Sequence, residues 1–175
     1  MPSAIKYNGK EYKVREIGAW TCLVRDGLKS VKLAEGIERI GNQAFSACAS
    51  LERVSLPQSL EGLDDCAFSA CASLVEIDIP NNVTYIDDDA FFRCFALECV
   101  TLPDKLERIG GRAFSLCTSL KRVVIPESVS SIGSEAFADC ARTLVVYCKA
   151  AAKPSGWADD WSGDCEVVWG YEGNK

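Results

Sequence analysis

The most informative absence in this 175-residue sequence is histidine, of which there is none. Without it, Ser-His-Asp and Cys-His catalysis are excluded and the commonest transition-metal ligand is missing. Apolar runs such as residues 144–148 are far shorter than the about 18 residues that span a bilayer. Lysine and arginine number 19 against 25 acidic residues, which disfavours the clustered basic surface of a nucleic-acid-binding protein. We therefore expect no enzymatic activity, cofactor, metal site, membrane insertion or nucleic-acid partner.

What the sequence has instead is a repeat of 23 residues. Three columns keep this step through five copies: Ala44, Ala67, Ala90, Ala113 and Ala136; Phe45, Phe68, Phe91, Phe114 and Phe137; Cys48, Cys71, Cys94, Cys117 and Cys140. Columns of leucine, valine, isoleucine and proline follow in the same register. A period of this length indicates supersecondary units that stack on one another, because one unit alone cannot bury a core.

Each unit predicts one strand and one turn. Val54 and Leu56 alternate with outward positions just before Pro57, a pattern typical of a short β-strand that proline ends. Residues 44–48 predict a 3₁₀ or short helical turn on the opposite side of the unit. Stacking such units predicts an α/β repeat protein with a parallel sheet along one side and helical turns along the other.

The two ends depart from the repeat and predict caps. Asn8-Gly9 lies between alternating segments and predicts a β-hairpin, so that residues 1–16 would cover the first rung. Residues 17–148 form the array, with one degenerate repeat before five regular ones. Residues 149–175 are rich in tryptophan, contain a final strand-like segment, and predict a C-terminal cap. Caps are expected because a bare terminal rung would expose core and an unpaired strand edge.

The repeat unit IERIGNQAFSACASLERVSLPQSL, residues 37–60, resembles the 23-residue leucine-rich repeat of the BspA-like type, also called the Treponema pallidum type. The segment YCKAAAKPSGWADDWSGDCEVVWGY, residues 147–171, resembles the terminal segment often found behind those repeats. The resemblance implies a right-handed solenoid with a concave parallel sheet. It also implies a bacterial cell-surface or secreted protein that adheres to a host matrix or cell-surface protein. No signal peptide or wall anchor is visible, so a fragment, a mature form or a cytoplasmic interaction scaffold stays open.

In such an array, the strand residues between the inward pairs form the candidate partner-binding surface on the concave side. They are Ser30, Lys32, Arg53, Ser55, Glu76, Asp78, Cys99, Thr101, Arg122, Val124, Val145 and Tyr147. Seven rungs about 4.8 Å apart would present a face roughly 30 Å long. The mixed charges predict a protein partner rather than a polyionic ligand. The alternative interpretation is that these positions are merely solvated.

Three other patterns each have a functional and a structural interpretation. Cys148 and Cys165 lie near the C-terminus and could form a disulfide, whereas the columnar cysteines are interpreted as buried free thiols. The acidic residues 64–65 and 87–89 could hold Ca²⁺ or form a solvated turn. Trp157 and Trp161 could stack on a glycan, which makes a carbohydrate-binding module the alternative function, or they could plug the last rung.

Overall fold

The structure of the chain is a computed structural model that describes residues 4–8 and 10–173. Its regular elements are short strands: β1 Ala4–Tyr7, β2 Lys10–Lys13, β3 Glu16–Ile17, β4 Ser30–Lys32, β5 Arg39–Ile40, β6 Arg53–Ser55, β7 Gly62–Leu63, β8 Glu76–Asp78, β9 Tyr85–Ile86, β10 Cys99–Thr101, β11 Arg108–Ile109, β12 Arg122–Ile125, β13 Ser131–Ile132, β14 Val145–Cys148 and β15 Glu166–Trp169. In the part of the chain that the structure describes, no helix is long and apolar enough to cross a membrane.

The strands from β3 onward stack in parallel as the rungs of a solenoid. Strands β8, β10, β12, β14 and β15 form one sheet in that order, and β4 pairs with β6 in the same row. Residues that pair between neighbouring strands are one repeat length apart in sequence: Glu76 pairs with Cys99, and Cys99 pairs with Arg122. The predicted parallel sheet is therefore confirmed, although it falls into two parts between β6 and β8.

A second parallel sheet, which the sequence analysis did not predict, contains β3, β5, β7, β9, β11 and β13. Each of its strands has two residues, and the second is a buried isoleucine or leucine such as Ile40 or Ile109. Two residues are too few to show the alternation of apolar and polar side chains by which a strand is recognised in a sequence. The rungs approach closely here: a Cβ atom on Gly133 would lie 2.3 Å from the backbone nitrogen of Gly111.

The phenylalanine column forms the centre of the core. Its five members are fully buried. Successive rings stack nearly parallel, with centroids 5.3, 5.6, 5.2 and 5.2 Å apart from Phe45 to Phe137. The alanines that precede them are equally buried, because a small side chain is needed where adjacent turns meet. The columns identified in the sequence are thus one continuous apolar seam.

The predicted 3₁₀ or helical turns are wrong for the residues that the structure describes, which contain strands and turns but no helix. The reason lies in the backbone of each turn segment. Gln43 and Ala47 both have positive φ, 53° and 56°, which a helix does not allow. The Phe45 amide donates to the Ala67 carbonyl of the next rung at 2.9 Å, while the amide of Ser46 closes a local turn onto Gln43. Alternate amides, those of Phe45 and Ala47, therefore connect neighbouring rungs, and the amides between them close local turns.

The N-terminal hairpin is present as predicted. Strands β1 and β2 pair antiparallel, with Ala4 opposite Lys13 and Tyr7 opposite Lys10. Asn8 has a φ of 48°, as expected in the tight turn that an Asn-Gly pair favours. Gly9 and residues 1–3 of the predicted cap lie outside the described residues, as do residues 174–175 of the C-terminal cap.

The C-terminal cap is an additional rung with altered residues and altered spacing. Trp157 forms a parallel bridge with Ile132, and the carbonyl of Trp161 accepts from the Phe137 amide at 2.9 Å. The Trp161 indole also meets the Phe137 ring edge-on at 5.9 Å. Farther along, β15 pairs with β14 in the main sheet. Larger tryptophan side chains thus take the isoleucine and alanine places, and the Trp161 ring covers the last phenylalanine of the seam.

Candidate binding face

The outward side chains of β4, β6, β8, β10, β12 and β14 form one surface, here called the main face. It contains all twelve residues predicted from the alternation. The positions from Ser30 to Arg122 are exposed, and Val124, Val145 and Tyr147 near the C-terminal end are half-buried. The structure therefore brings the predicted residues together on one side, and their role in binding stays a prediction.

The N-terminal half of the main face is polar. A groove of about 610 Å³ lies over β4, β6 and β8, where the sheet is interrupted. Its outward lining includes Lys32, Arg53, Ser55, Glu76 and Asp78. Lys32 and Arg53 are basic, and Glu76 and Asp78 are acidic, so the groove has no single sign of charge that would select a polyionic ligand.

The C-terminal half of the main face is apolar and aromatic. Arg122 lies over the rings of Tyr147 and Tyr171, with its guanidinium carbon 4.5 and 5.1 Å from their centroids. It also donates a hydrogen bond to the Tyr171 hydroxyl, and the two rings are 4.7 Å apart. Beside Arg122 is a pocket of about 390 Å³ whose lining includes Leu102 and Val124.

Tyr171 is not among the residues predicted for this surface from the sequence. It lies outside the repeat, and its amide donates to the Cys148 carbonyl at 2.9 Å, which brings it beside β14. A signal for it was available, because β15 is strand-like in sequence and Tyr171 follows it by two residues. Predicting the contact would have required the register of β15 against β14.

Four of the five acidic residues considered for Ca²⁺ have other partners. Asp64 contacts Arg39 at 2.8 Å, Asp87 contacts Arg108 at 2.5 Å, and Asp89 contacts Arg112 at 2.7 Å. Asp88 accepts a hydrogen bond from the Gly111 amide at 2.7 Å. Among the described residues, no group of three or more acidic or cysteine side chains could hold a metal ion. The structural interpretation, an acidic turn paired across rungs, therefore accounts for this cluster.

Tyr85, on the second sheet, belongs to the same ladder of polar contacts. Its hydroxyl donates to Asp64 at 3.0 Å, and its ring lies over Gly62, where a Cβ atom would be 2.0 Å from the ring carbon Cζ. Burial, together with the hydrogen bond to Asp64, raises the pKa of Tyr85 to about 12. These contacts stabilise the stack and do not form a cleft.

All ten cysteines are free, and the column at the core is more than a row of small hydrophobic groups. The Cys94 thiol donates to the carbonyl of Phe68, one rung back, at 3.2 Å, and Cys71 and Cys117 make the equivalent bond. Burial raises the pKa of Cys117 to about 12. A neutral, buried thiol is a poor nucleophile, so the column offers no catalytic cysteine.

Cys148 and Cys165, considered above as a possible disulfide, are both free thiols in the structure. Cys148 lies opposite Trp169 in the β14–β15 ladder, four residues beyond Cys165. At about 3.3 Å per residue, that offset places the two cysteines about 13 Å apart along the strand direction. A disulfide needs Cα atoms within about 7 Å, so the pairing would require β15 to shift.

The tryptophans considered for glycan stacking are in the core. Trp157 and Trp161 are 3% and 2% exposed, and their rings meet edge-on at 4.9 Å. The Trp157 indole nitrogen donates to the Val129 carbonyl at 3.0 Å. Neither ring presents a free face for a sugar, so the structure favours the interpretation that they plug the last rung.

Stacked 23-residue rungs around an apolar seam, with one exposed strand face, define a leucine-rich-repeat solenoid, a class with extended binding surfaces. The chain belongs to the BspA type leucine rich repeat family, since six copies of that repeat region match residues 16–143. This establishes the expected family and the solenoid fold. No curated protein matches the chain.

Solved bacterial structures are similar over most of this chain. A leucine rich cell surface protein from Faecalibacterium prausnitzii A2-165 is 28% identical with a TM-score of 0.64, and the match covers 91% of this chain and 49% of that one. The leucine rich repeat protein of T. pallidum is 27% identical with a TM-score of 0.60, covering 98% and 68%. The pneumococcal vaccine antigen PcpA, 19% identical with a TM-score of 0.65 over 95% and 47%, shows the fold alone. The chain thus spans about half the length of the F. prausnitzii protein.

Proposed function

We propose that this chain is a non-catalytic protein-binding module that presents its main face to a partner protein. The observation that carries the proposal is the Arg122 guanidinium held against Tyr147 and Tyr171, next to an apolar pocket of about 390 Å³. Tyrosine and arginine are enriched among the residues that supply most of the energy of protein interfaces. The aromatic half of the face is therefore the proposed centre of the contact, and the polar groove is its rim.

A preformed surface supports this function on thermodynamic grounds. The outward residues belong to strands whose backbones are paired to neighbouring rungs, as Arg122 is paired to both Cys99 and Val145. The Arg122 side chain is itself held by two rings and a hydroxyl. Little conformational entropy remains to be lost when a partner binds, so more of the contact energy contributes to affinity.

The biological setting we propose is adhesion at a bacterial cell surface. Its support is the F. prausnitzii relative, which is described as a leucine rich cell surface protein. A host matrix or cell-surface protein is the proposed partner. A glycan-binding role through Trp157 and Trp161 has no comparable support, because both indoles are buried.

The test is binding of the purified chain to a panel of immobilised extracellular-matrix proteins, followed by two alanine variants. Arg122→Ala and Tyr147→Ala should each weaken binding to any captured matrix protein by about 10-fold or more, the usual effect of removing an interface hot spot. Arg53→Ala combined with Glu76→Ala should weaken it less, since these residues lie at the polar rim.

A matched control is available elsewhere on the chain. Arg93 also lies over an aromatic ring, that of Phe92 at 5.0 Å, but on a turn segment and not on the main face. Arg93→Ala should leave binding unchanged. Equal losses in Arg93→Ala and Arg122→Ala, or full binding by Tyr147→Ala, would contradict the assignment of the face. Loss of binding after deglycosylation of the matrix protein would point to a glycan instead.

A further inference from the structure

The main sheet is partly open between β10 and β12. These two strands pair through Cys99 and Arg122 alone, whereas β8 and β10 pair through three residues and β12 and β14 through four. If the ladder continued, the Leu102 amide would donate to the Val124 carbonyl, but no hydrogen bond joins these two groups within the described residues. The opening therefore leaves the Leu102 amide as a backbone donor that the sheet does not use.

The opening coincides with a change in the apolar column that precedes the prolines. Leu102 is half-buried, whereas Ile79 and Ile125, at the same place in the rungs before and after it, are 4% and 0% exposed. Leu102 instead lines the pocket of about 390 Å³, together with Val124. Pockets of about 300–1,000 Å³ with mostly apolar walls and a few polar groups are typical ligand sites. This pocket is therefore large enough for an apolar side chain of a partner.

The charges around this pocket do not cancel. Three basic and two acidic side chains line it. Lys121 contacts Glu98 at 2.5 Å and Lys149 contacts Asp104 at 2.8 Å, so each carboxylate already has a cation. Arg122 forms no ion pair with any of the residues that the structure describes. The rim therefore has one positive charge in excess, that of Arg122.

The Arg122 side chain is held in place without being neutralised. Its guanidinium lies over the Tyr147 and Tyr171 rings and donates one hydrogen bond to the Tyr171 hydroxyl. A guanidinium has five N–H donors, of which this bond uses one. The remaining donors are free to bind a carboxylate through two parallel hydrogen bonds, which are stronger than bonds to a neutral group.

The spacing of the cation and the pocket sets the spacing of the groups that they bind. Arg122 and Val124 are alternate residues of β12, so they lie on one face about 6.6 Å apart along the strand. Alternate residues of any extended segment have the same spacing and also share one face. An extended segment with an acidic and an apolar side chain at alternate positions would therefore place the carboxylate on Arg122 and the apolar group in the pocket.

We propose that the main face recognises an extended segment of its partner protein in which an acidic and an apolar residue are separated by one residue. The apolar side chain fills the pocket against Leu102 and Val124, and the carboxylate pairs with Arg122. A backbone carbonyl of the segment accepts a hydrogen bond from the Leu102 amide. This inference rests on the proposed function and adds the kind of partner sequence that the main face selects.

The test is a titration of the ¹⁵N-labelled chain with capped peptides, because amide resonances report both the affinity and the location of binding. The probes are acetyl-Thr-Asp-Thr-Leu-Thr-amide and the same peptide with Asp and Leu exchanged, since the segment can run in either direction along β12. At least one probe should shift the amides of Thr101, Leu102 and Val124 in a saturable way. Replacing Asp by Asn in that probe should weaken binding about 10-fold, the effect of losing a charge-assisted hydrogen bond. Replacing Leu by Ser should weaken it by about 10-fold or more, because the burial of the apolar side chain is lost.

Two variants locate the site. Arg122→Gln should bind the Asp and Asn forms of the probe equally well. Thr101→Trp places a large side chain at an exposed position beside the pocket, so it should fill the pocket and abolish the shift at Val124. Arg93→Gln is the matched control and should keep the wild-type preference, since Arg93 also contacts an aromatic ring but on a turn segment. The amide spectrum of each variant shows whether it is folded, and the peptide series on the wild type stands without the variants.

Equal binding of the Asp and Asn peptides by the wild type, a preference for Asp that survives in Arg122→Gln, or shifts confined to residues outside β10 and β12 would overturn the inference. So would the absence of saturable shifts up to about 10 mM peptide, a range that detects millimolar affinities. If binding of a matrix protein still depends on Arg122 in that case, the proposed function stands and only the partner segment is wrong. Peptide binding without capture of any matrix protein would support the site and contradict the proposed matrix partner.

Discussion

The phenylalanine seam makes the sharpest quantitative prediction. Phe91 is fully buried and stacks on two rings, Phe68 at 5.6 Å and Phe114 at 5.2 Å. Removing a buried phenylalanine side chain costs about 3–5 kcal/mol of unfolding free energy. Each ring pair adds about 0.5–1.5 kcal/mol beyond burial. Because two ring pairs are lost, we expect the loss of unfolding free energy in Phe91→Ala to lie near the upper end of that range, about 4–5 kcal/mol.

Phe45→Ala tests the stacking contribution separately. Phe45 is as buried as Phe91, but it has one ring neighbour, at 5.3 Å, since the degenerate rung before it has Cys22 in the phenylalanine column. The expected loss is about 1 kcal/mol smaller than at Phe91. Phe95→Ala is the control in the same repeat as Phe91: this side chain is 42% exposed, and its loss should be about 0.5 kcal/mol or less.

Urea denaturation followed by circular dichroism measures all three variants. Thermal melts give a second readout, with Tm lowered by about 8–16 °C for a loss of 4 kcal/mol in a chain of this size. Equal losses at Phe91 and Phe45 would show that ring stacking adds nothing to burial. A loss at Phe91 no larger than that at Phe95 would refute the claim that the seam is the core.

Three further predictions concern other contacts in the stack. Cys94→Ala should lower the unfolding free energy by about 1–2 kcal/mol through lost burial and a lost S–H donor, whereas Cys99→Ala, at an exposed position, should not; urea melts compare them. Gly133→Ala should lower Tm, because the added Cβ atom would meet the backbone of the neighbouring rung. A Cβ atom at Gly27 would lie in open space, so Gly27→Ala should leave Tm unchanged. In the folded protein the pKa of Tyr85 is raised above its usual value of 10 to about 12, so its contribution to the free energy of unfolding is complete below pH 10 and is lost as the pH rises towards about 12. Thermal melts of Tyr85→Phe over this pH range should therefore show a smaller loss of stability than melts of the wild type.

The sequence alone was sufficient for the stack, its period and its inward columns. A strict 23-residue step places the same residue type at the same point of every rung, so that Phe45 and its four counterparts had to form one column. Alternation before each proline also identified the outward residues of the main face. These columns and this alternation are local patterns that recur in every repeat, and their recurrence distinguishes them from chance.

Only the tertiary structure decided the turns and the second sheet. Residues 44–48 are compatible with a helical turn by composition, but the Phe45 and Ala47 amides bond to the next rung, and the backbone adopts positive φ at Gln43 and Ala47. No local sequence preference requires that choice, because the competing hydrogen-bond acceptors are 22 residues away along the chain.

The cap depended on tertiary structure most of all. Trp157, Trp161 and Cys165 continue the isoleucine, alanine and cysteine columns of Ile132, Ala136 and Cys140, but each at a step of 25 residues, so a search at a period of 23 does not find them. Strand β15 then pairs with β14 at a step of 21 residues, which places Trp169 opposite Cys148 and brings Tyr171 onto Arg122. Packing against the last regular rung sets these distances, since Trp161 meets the Phe137 ring and Tyr171 meets Arg122, which lie 24 and 49 positions earlier in the chain.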